Sequence, residues 1–224
     1  MGLAMAAFAI EDMIIKTIAE TMPTGQVLIL FGLGGMAIFG AMARAQGAAL
    51  WHTGFCTRPL IWRAVAEVSG RLFFTLAIVL APLSLASAIL QATPLVVTAG
   101  AVVFFGARVG WRRWLAIGIG FVGVLMILRP GMSGFEATSL LAVVGMLGFA
   151  GRDLATRAAP RTMSNAQLGI FGFAMLTVAG IIALSWTGGA VWPTAAQGMA
   201  LGAAIAVGVL AYMALTGAMR LGDI

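Results

Sequence analysis

Residues 8–26, FAIEDMIIKTIAETMPTGQ, and residues 149–167, FAGRDLATRAAPRTMSNAQ, decide how this chain is read. Superposed with a shift of 141 residues and no gap, they align Phe8, Ala9, Asp12, Thr21, Met22 and Gln26 with Phe149, Ala150, Asp153, Thr162, Met163 and Gln167. Lys16 falls on Arg157, so the unit keeps a D-x-x-x-[KR] step. Rare polar residues at identical spacing in an apolar alphabet mark a duplicated unit. Glu11 and Arg152 fill one matched position with opposite charge, which suggests a pair across the pseudo-symmetry.

The surroundings of both copies are membrane-like. Of 224 residues, 62% are hydrophobic and 9% charged, against about a quarter charged in a soluble domain. Apolar runs predict an all-α, polytopic membrane protein with about eight helices, near 3–20, 25–42, 62–81, 85–105, 112–129, 138–158, 166–186 and 198–218. Leu72 to Ala107 holds no charge over 36 residues, and one helix of that length would measure roughly 54 Å, far beyond the hydrocarbon. Pro82 is the expected hairpin turn, since proline removes a helix donor. The N-terminus lacks a positive n-region and is expected to stay in the mature chain.

Five spans separate the two copies, an odd number, so the second enters the membrane from the opposite side. That is an inverted repeat, an architecture of secondary transporters whose sites lie near the midplane. The units are expected at 1–134 (five helices) and 138–224 (three helices). Arg44, Arg58, Arg63, Arg108, Arg112, Arg113, Arg161 and Arg220 gather on one side, while Arg129, Glu20 and Glu136 fall on the other. The positive-inside rule then places the N-terminus on the cytoplasmic side of the membrane, expected to be a bacterial inner membrane. Trp51, Trp62, Trp111 and Trp114 flank that side and Trp186 and Trp192 the other, as aromatic belts do.

AFAIEDMIIK in the first span, PLSLASAILQATPLVVTAGAVVFFGARVGWRRW through the fourth and GIGFVGVLMILRPG closing the fifth resemble the EamA-type transporters of the drug/metabolite transporter superfamily. The resemblance implies ten helices as two inverted five-helix units, and a cargo of amino acids, their derivatives or cofactor-like molecules. Two departures stand out. The family usually sets an acid directly after the glycine ending the fourth helix, whereas Gly106 is followed by Ala107 and Arg108. Counterparts of residues 85–129, the ninth and tenth helices, are not found in the second unit.

An ionisable residue in hydrocarbon is costly unless it is paired or faces water, so it is a functional candidate by default. Asp12 and Lys16 share one helix face and recur as Asp153 and Arg157. A pair that merely neutralises itself for insertion is the plainer alternative. Arg63, Glu67 and Arg71 form an i,i+4 stripe on the third span. Arg63 is expected to snorkel to the interface, Glu67 and Arg71 to form an ion pair or a substrate site, an arginine fork suiting a carboxylate. Gln91, Thr93 and Pro94 sit mid-span, where proline frees a carbonyl for a neighbour or a ligand. Tyr212, the only tyrosine, is either an interfacial anchor or a cavity wall. Asp12, Lys16, Glu67, Arg71, Gln91, Pro94, Asp153 and Tyr212 are therefore the substrate-binding or coupling candidates.

Several chemistries are set aside. Gly118 to Gly123 spells G-x-G-x-x-G inside an apolar span with no strand before it, so close helix packing is expected there instead of a dinucleotide. His52 and Cys56, single residues of their types, and 14 methionines propose no metal, cofactor or Cys/His dyad. No nucleic acid is expected, because the basic residues lie between apolar spans. An enzyme is disfavoured, since no catalytic set is recognisable. Without a P-loop, active transport would need an ion gradient or exchange. The reading is a secondary transporter of a small polar or amphipathic metabolite, with small-molecule substrate, lipid and possible homo-oligomer as partners. The alternative is a truncated, non-transporting membrane protein acting as a structural partner.

Overall fold

The computed structural model describes residues 2–80, 82–107, 110–128, 138–158 and 162–221. In chain order the helices are α1 (Gly2–Ala19), α2 (Thr24–Ala45), α3 (Arg58–Leu80), α4 (Leu83–Leu90), α5 (Thr93–Phe105), α6 (Trp111–Leu128), α7 (Ser139–Arg157), α8 (Asn165–Thr187) and α9 (Ala195–Leu221), with a short 3-10 turn at Thr53–Cys56 before α3. No strand occurs among the described residues, as an all-α membrane protein requires. Arg108, Arg129, Glu136 and Arg161, the Pro130-Gly131 that closes the fifth span, and the expected unit boundary lie outside the described residues.

Five stretches are long and apolar enough to cross a membrane: Thr24–Ala45, Ser84–Phe105, Ser139–Arg157, Asn165–Thr187 and Ala195–Ala218. The other expected spans fall short for a visible reason. Glu11, Asp12 and Lys16 interrupt α1, and Arg58, Arg63, Glu67 and Arg71 interrupt α3, while the apolar part of α6 is only Trp114–Met126. All six tryptophans are exposed on the bundle surface.

The hairpin at Pro82 forms as expected: α3 ends at Leu80 and Pro82 is the N-cap of α4. The fourth span, read as one helix, is broken into α4 and α5 at Gln91 and Ala92. Pro94 cannot donate to the carbonyl of Leu90, and Thr93 Oγ1 donates to that oxygen instead, at 2.5 Å. The freed carbonyl is thus used locally. At the start of α8, Ser164 and Gln167 form a reciprocal capping box, with bonds of 3.1 and 2.9 Å.

Three helix pairs dominate the packing: α2 along α8, α3 along α7 and α1 along α9. The 141-residue shift carries α1 onto α7, α2 onto α8 and α3 onto α9. One pair therefore joins matched helices and the other two exchange partners, the pattern a two-fold operation generates. Glycine permits the close approaches. A Cβ on Gly148 of α7 would lie 2.4 Å from the Cα of Gly70 on α3, and one on Gly25 of α2 would lie 2.3 Å from the Leu184 nitrogen on α8. The α6 glycines behave otherwise. A Cβ on Gly118 or Gly123 would meet no described atom within 4 Å, and only Gly120 of the three abuts a neighbour, Leu95. Among the described residues the expected close packing of that motif is met at Gly120 and not at Gly118 or Gly123. Phe31, Phe39, Phe173 and Tyr212 interlock at ring separations of 5.4 to 5.8 Å and fill the interior between α2, α8 and α9.

Candidate functional site

The interior below those rings is polar. Glu11 and Asp12 from α1, Arg63, Glu67 and Arg71 from α3, Arg152 and Asp153 from α7 and Tyr212 from α9 are all buried, none more than 8% exposed. Three arginines thus face four carboxylates in one cluster.

The pairing differs from the sequence expectation in three places. Glu11 does not pair with Arg152: its Oε1 lies 3.7 Å from Nη2 of Arg71, and Arg152 instead bridges Glu67 at 3.2 Å and Asp153 at 2.8 Å. Glu67 does not pair with Arg71: it lies between Arg152 and, at 3.7 Å, Arg63. Asp12 does not pair with Lys16, which is half-buried; its partner is Arg71, at 4.0 Å. The cause is common to all three. Spacing along one helix fixes which side chains share a face, while the close α3–α7 contact brings Arg152 up to Glu67, and Arg71 turns to the α1 carboxylates. Self-neutralisation by the D-x-x-x-[KR] step is therefore not what stabilises α1.

Arg63 is the largest departure. It was expected to snorkel out, yet it is 1% exposed. Its Nε donates to Thr156 Oγ1 at 2.8 Å, its Nη1 to the Leu168 carbonyl at 3.5 Å and its Nη2 to the Tyr212 oxygen. Its guanidinium also lies 5.3 Å from the ring centre of Phe171. Enough acceptors meet it inside that it has no need of the interface. Tyr212, whose hydroxyl donates to Leu168 O at 2.9 Å, is a wall of the interior and not an interfacial anchor.

Small cavities run through the cluster. One of about 50 Å³ is lined by Phe8, Asp12, Arg71, Phe74, Thr93, Phe149, Arg152 and Asp153. Phe8 and Asp12 are the repeat mates of Phe149 and Asp153, so matched residues face each other across it. Arg71 and Arg152 lie 5.5 and 4.9 Å from the Phe149 ring centre. A second space, about 20 Å³, touches Glu11, Glu67, Gly172, Gly208 and Tyr212, room for a water molecule or so. A third, about 210 Å³, shares Met5, Thr93 and Asp153 with the first and adds Pro94, Thr98 and Arg157. Glu11 Oε1, Glu67 Oε2 and the Nε atoms of Arg71 and Arg157 are buried without a hydrogen bond. The two carboxylate oxygens keep ion pairs at 3.7 Å, but buried polar atoms without hydrogen bonds at this density are costly and point to a ligand, ion or water. Two of the candidates stay outside: Gln91, exposed at the α4–α5 break, and the half-buried Lys16 line none of these cavities. Glu11, Arg63, Arg152 and Thr156 are members outside the candidate set, although the sequence suggests Glu11 and Arg152 as a pair and sets Arg63 on the Glu67 and Arg71 stripe.

No family model matches the chain, and no solved structure matches it significantly. Curated proteins do. The chain is 27% identical over 159 residues to a riboflavin transporter of Rhizobium johnstonii, an alignment covering 70% of this chain and 52% of that protein. It is 30% identical over 100 residues to an S-adenosylmethionine uptake transporter of Rickettsia bellii, covering 44% and 34%. It is 26% identical over 191 residues to the pseudopaline exporter CntI of Pseudomonas aeruginosa, covering 83% and 64%. These alignments span about a third to two thirds of each relative.

Proposed function

We propose that this chain, a transporter of the drug/metabolite (EamA) type by its relatives, moves a small polar or amphipathic metabolite across a bacterial inner membrane by alternating access. The cargo class is amino acid-like or cofactor-like, in keeping with relatives named for riboflavin, S-adenosylmethionine and pseudopaline. The moving bodies are the inverted units 1–134 and 138–224, a division supported by the exchanged packing of α1 with α9 and α3 with α7. The N-terminus lies on the cytoplasmic side.

One observation carries the reading: an intramembrane cluster whose cavity is walled by matched pairs, Phe8 with Phe149 and Asp12 with Asp153, and whose Arg71 keeps an unbonded Nε. A structural neutraliser would be expected to satisfy its own charges. The cavity of about 50 Å³ is too small for any of these cargoes, so in this proposal the site enlarges as the units separate. In this proposal Arg71 receives an anionic group, Asp12 and Asp153 a cationic group or a coupling ion, and Glu67, Tyr212, Pro94 and Lys16 line or support the path.

Proteoliposomes holding the protein, assayed with labelled riboflavin, S-adenosylmethionine and a panel of amino acids, test this. We expect saturable flux of at least one compound, abolished in Asp12→Asn and Arg71→Ala with insertion largely intact. Absence of flux for every compound counts against transport by this chain. Wild-type flux in both variants removes the site assignment.

A further inference from the structure

The two ends of the bundle are closed by different chemistry. At the end where α3 and α8 begin, Arg63 of α3 holds Thr156 of α7, Leu168 of α8 and Tyr212 of α9 at once. The repeat mates of Arg63, Thr156 and Leu168, at the opposite end, are Ala204, Ile15 and Val27, buried at 0 to 2% exposure in one apolar cluster. The buried interior of one end is fastened by hydrogen bonds and that of the other by apolar packing, the Gln26–Val191 and Gln197–Thr21 hydrogen bonds of the second end being exposed at its surface.

The fastening has an unusual composition for a buried arginine. Its one acidic partner within 4.0 Å among the described residues, Glu67, lies 3.7 Å away on the same helix, and that Oε2 carries no hydrogen bond. The acceptors that reach Arg63 from other helices are neutral: a threonine hydroxyl, a tyrosine hydroxyl and a backbone carbonyl. Water reproduces such bonds at small enthalpic cost, whereas a bidentate carboxylate would hold the helices together far more firmly. The same four helices, together with α1 and α2, line the small cavity that touches Tyr212 and Glu67, both partners of Arg63. Gly172 makes room for the contact, because a Cβ there would lie 2.7 Å from the Tyr212 hydroxyl and 3.1 Å from Nη2 of Arg63.

We propose that Arg63, with Thr156, the Leu168 carbonyl and Tyr212, is the gate that closes the central cavity toward the end where α3 and α8 begin. Opening to that side replaces its interhelical bonds with water. The inference rests on the transport reading for its purpose, but its test needs no substrate, so the two fail separately.

The probe is a cysteine at Leu176, which lines the cavity two turns beyond Leu168 and is 3% exposed. It is placed in a Cys56→Ser background and labelled with a maleimide in detergent. Tyr212→Phe keeps the ring in its contacts with Phe39 and Phe173 and removes only the hydroxyl. It should raise the Leu176→Cys labelling rate at least about tenfold, since the closed state loses both the bond from Arg63 and the bond to Leu168 O. Gly172→Ala and Thr156→Val attack the same gate from two other helices and should act alike. A second probe, Ala204→Cys at the apolar end, should keep its slow rate in all three variants. The proposal is overturned if the folded variants label Leu176→Cys at the parent rate, or if both probes speed up together, which would mean general loosening.

Discussion

Substituting Gly148 with alanine tests the closest helix contact in the molecule's polar half. A Cβ on Gly148 would lie 2.4 Å from Gly70 Cα, 2.7 Å from Gly70 N and 2.9 Å from Ala66 O. All three are backbone atoms of α3, so no side chain can swing aside. Restoring ordinary contact requires α3 and α7 to separate by about 1 Å, in an interior packed as densely as an organic crystal. The Arg152–Glu67 bridge at 3.2 Å spans that same seam and would be stretched with it. Overpacking of this kind costs about 1–3 kcal/mol. Alanine also gains up to ~1 kcal/mol over glycine from helix propensity, so the raw effect of Gly148→Ala understates the clash. Gly151→Ala removes that ambiguity. It lies on the same helix, gains the same propensity, and its Cβ would meet only the Ala66 methyl at 3.4 Å, an ordinary contact. The difference between the two variants therefore isolates the clash. With about 2–4 °C of melting temperature per kcal/mol for a chain of this size, Gly148→Ala should melt roughly 2–12 °C below Gly151→Ala, measured by size-exclusion after heating in one detergent. Equal melting of the two variants would refute the α3–α7 approach, and with it the placement of Arg152 beside Glu67.

Two further outcomes follow from the fourth span and from the loops. Thr93→Val leaves the Leu90 carbonyl without its 2.5 Å donor and should destabilise the fold by about 1–3 kcal/mol, while in a Pro94→Ala background, where residue 94 regains an N–H, the same change should cost much less; additive effects in denaturant titrations would show that the hydroxyl does not stand in for the missing amide. Single cysteines at Gln46 and Gly189, in a Cys56→Ser background, should differ sharply in labelling of intact cells by an impermeant thiol reagent, with Gly189 the reactive one; equal labelling would reverse or abolish the proposed orientation.

Much of the scaffold was legible because it depends on periodic, local signals. Uncharged length forced the turn at Pro82, and the shift of 141 carries 24–45 onto 165–186, against α2 and α8 at Thr24–Ala45 and Asn165–Thr187. The cluster was legible in membership but not in pairing. Asp12, Glu67, Arg71, Asp153 and Tyr212 all stand in it, yet the Arg152–Glu67 bridge depends on how deeply α3 and α7 interlock, which is set by Gly70 and Gly148 and not by the charged residues themselves. Arg63 was misplaced for the same reason. Its position near the start of α3 suits snorkelling, and only the convergence of α7, α8 and α9 supplies the acceptors that keep it inside. The break at Gln91 and Ala92 was foreshadowed by Pro94, but the Thr93 hydroxyl that satisfies the freed carbonyl is a rotamer choice that sequence does not reveal.

The divergence between matched positions explains how a duplicated unit can hold charge without repelling itself. Position by position, Glu11 answers to Arg152, Glu67 to Gly208, Arg71 to Tyr212 and Arg63 to Ala204. A faithful duplication would have put two glutamates at the first position and two arginines at the third, gathering like charges around one small space. In the two-unit division, Arg71 and Arg63 face three carboxylates of the first unit, Glu11, Asp12 and Glu67, so one negative charge is in excess. Arg152 of the second unit supplies the missing charge, and Arg152–Glu67 is the one ion pair among the described residues that joins the units. Relative motion of the two must therefore stretch that 3.2 Å bridge together with the bonds of Arg63 to Thr156, Leu168 and Tyr212. Breaking a buried pair leaves a charge that is costly by about 3–5 kcal/mol unless something replaces the partner. A bound cargo or ion that reaches Glu67 or Arg152 as the units part would offset that cost, and so would couple its own binding to the movement.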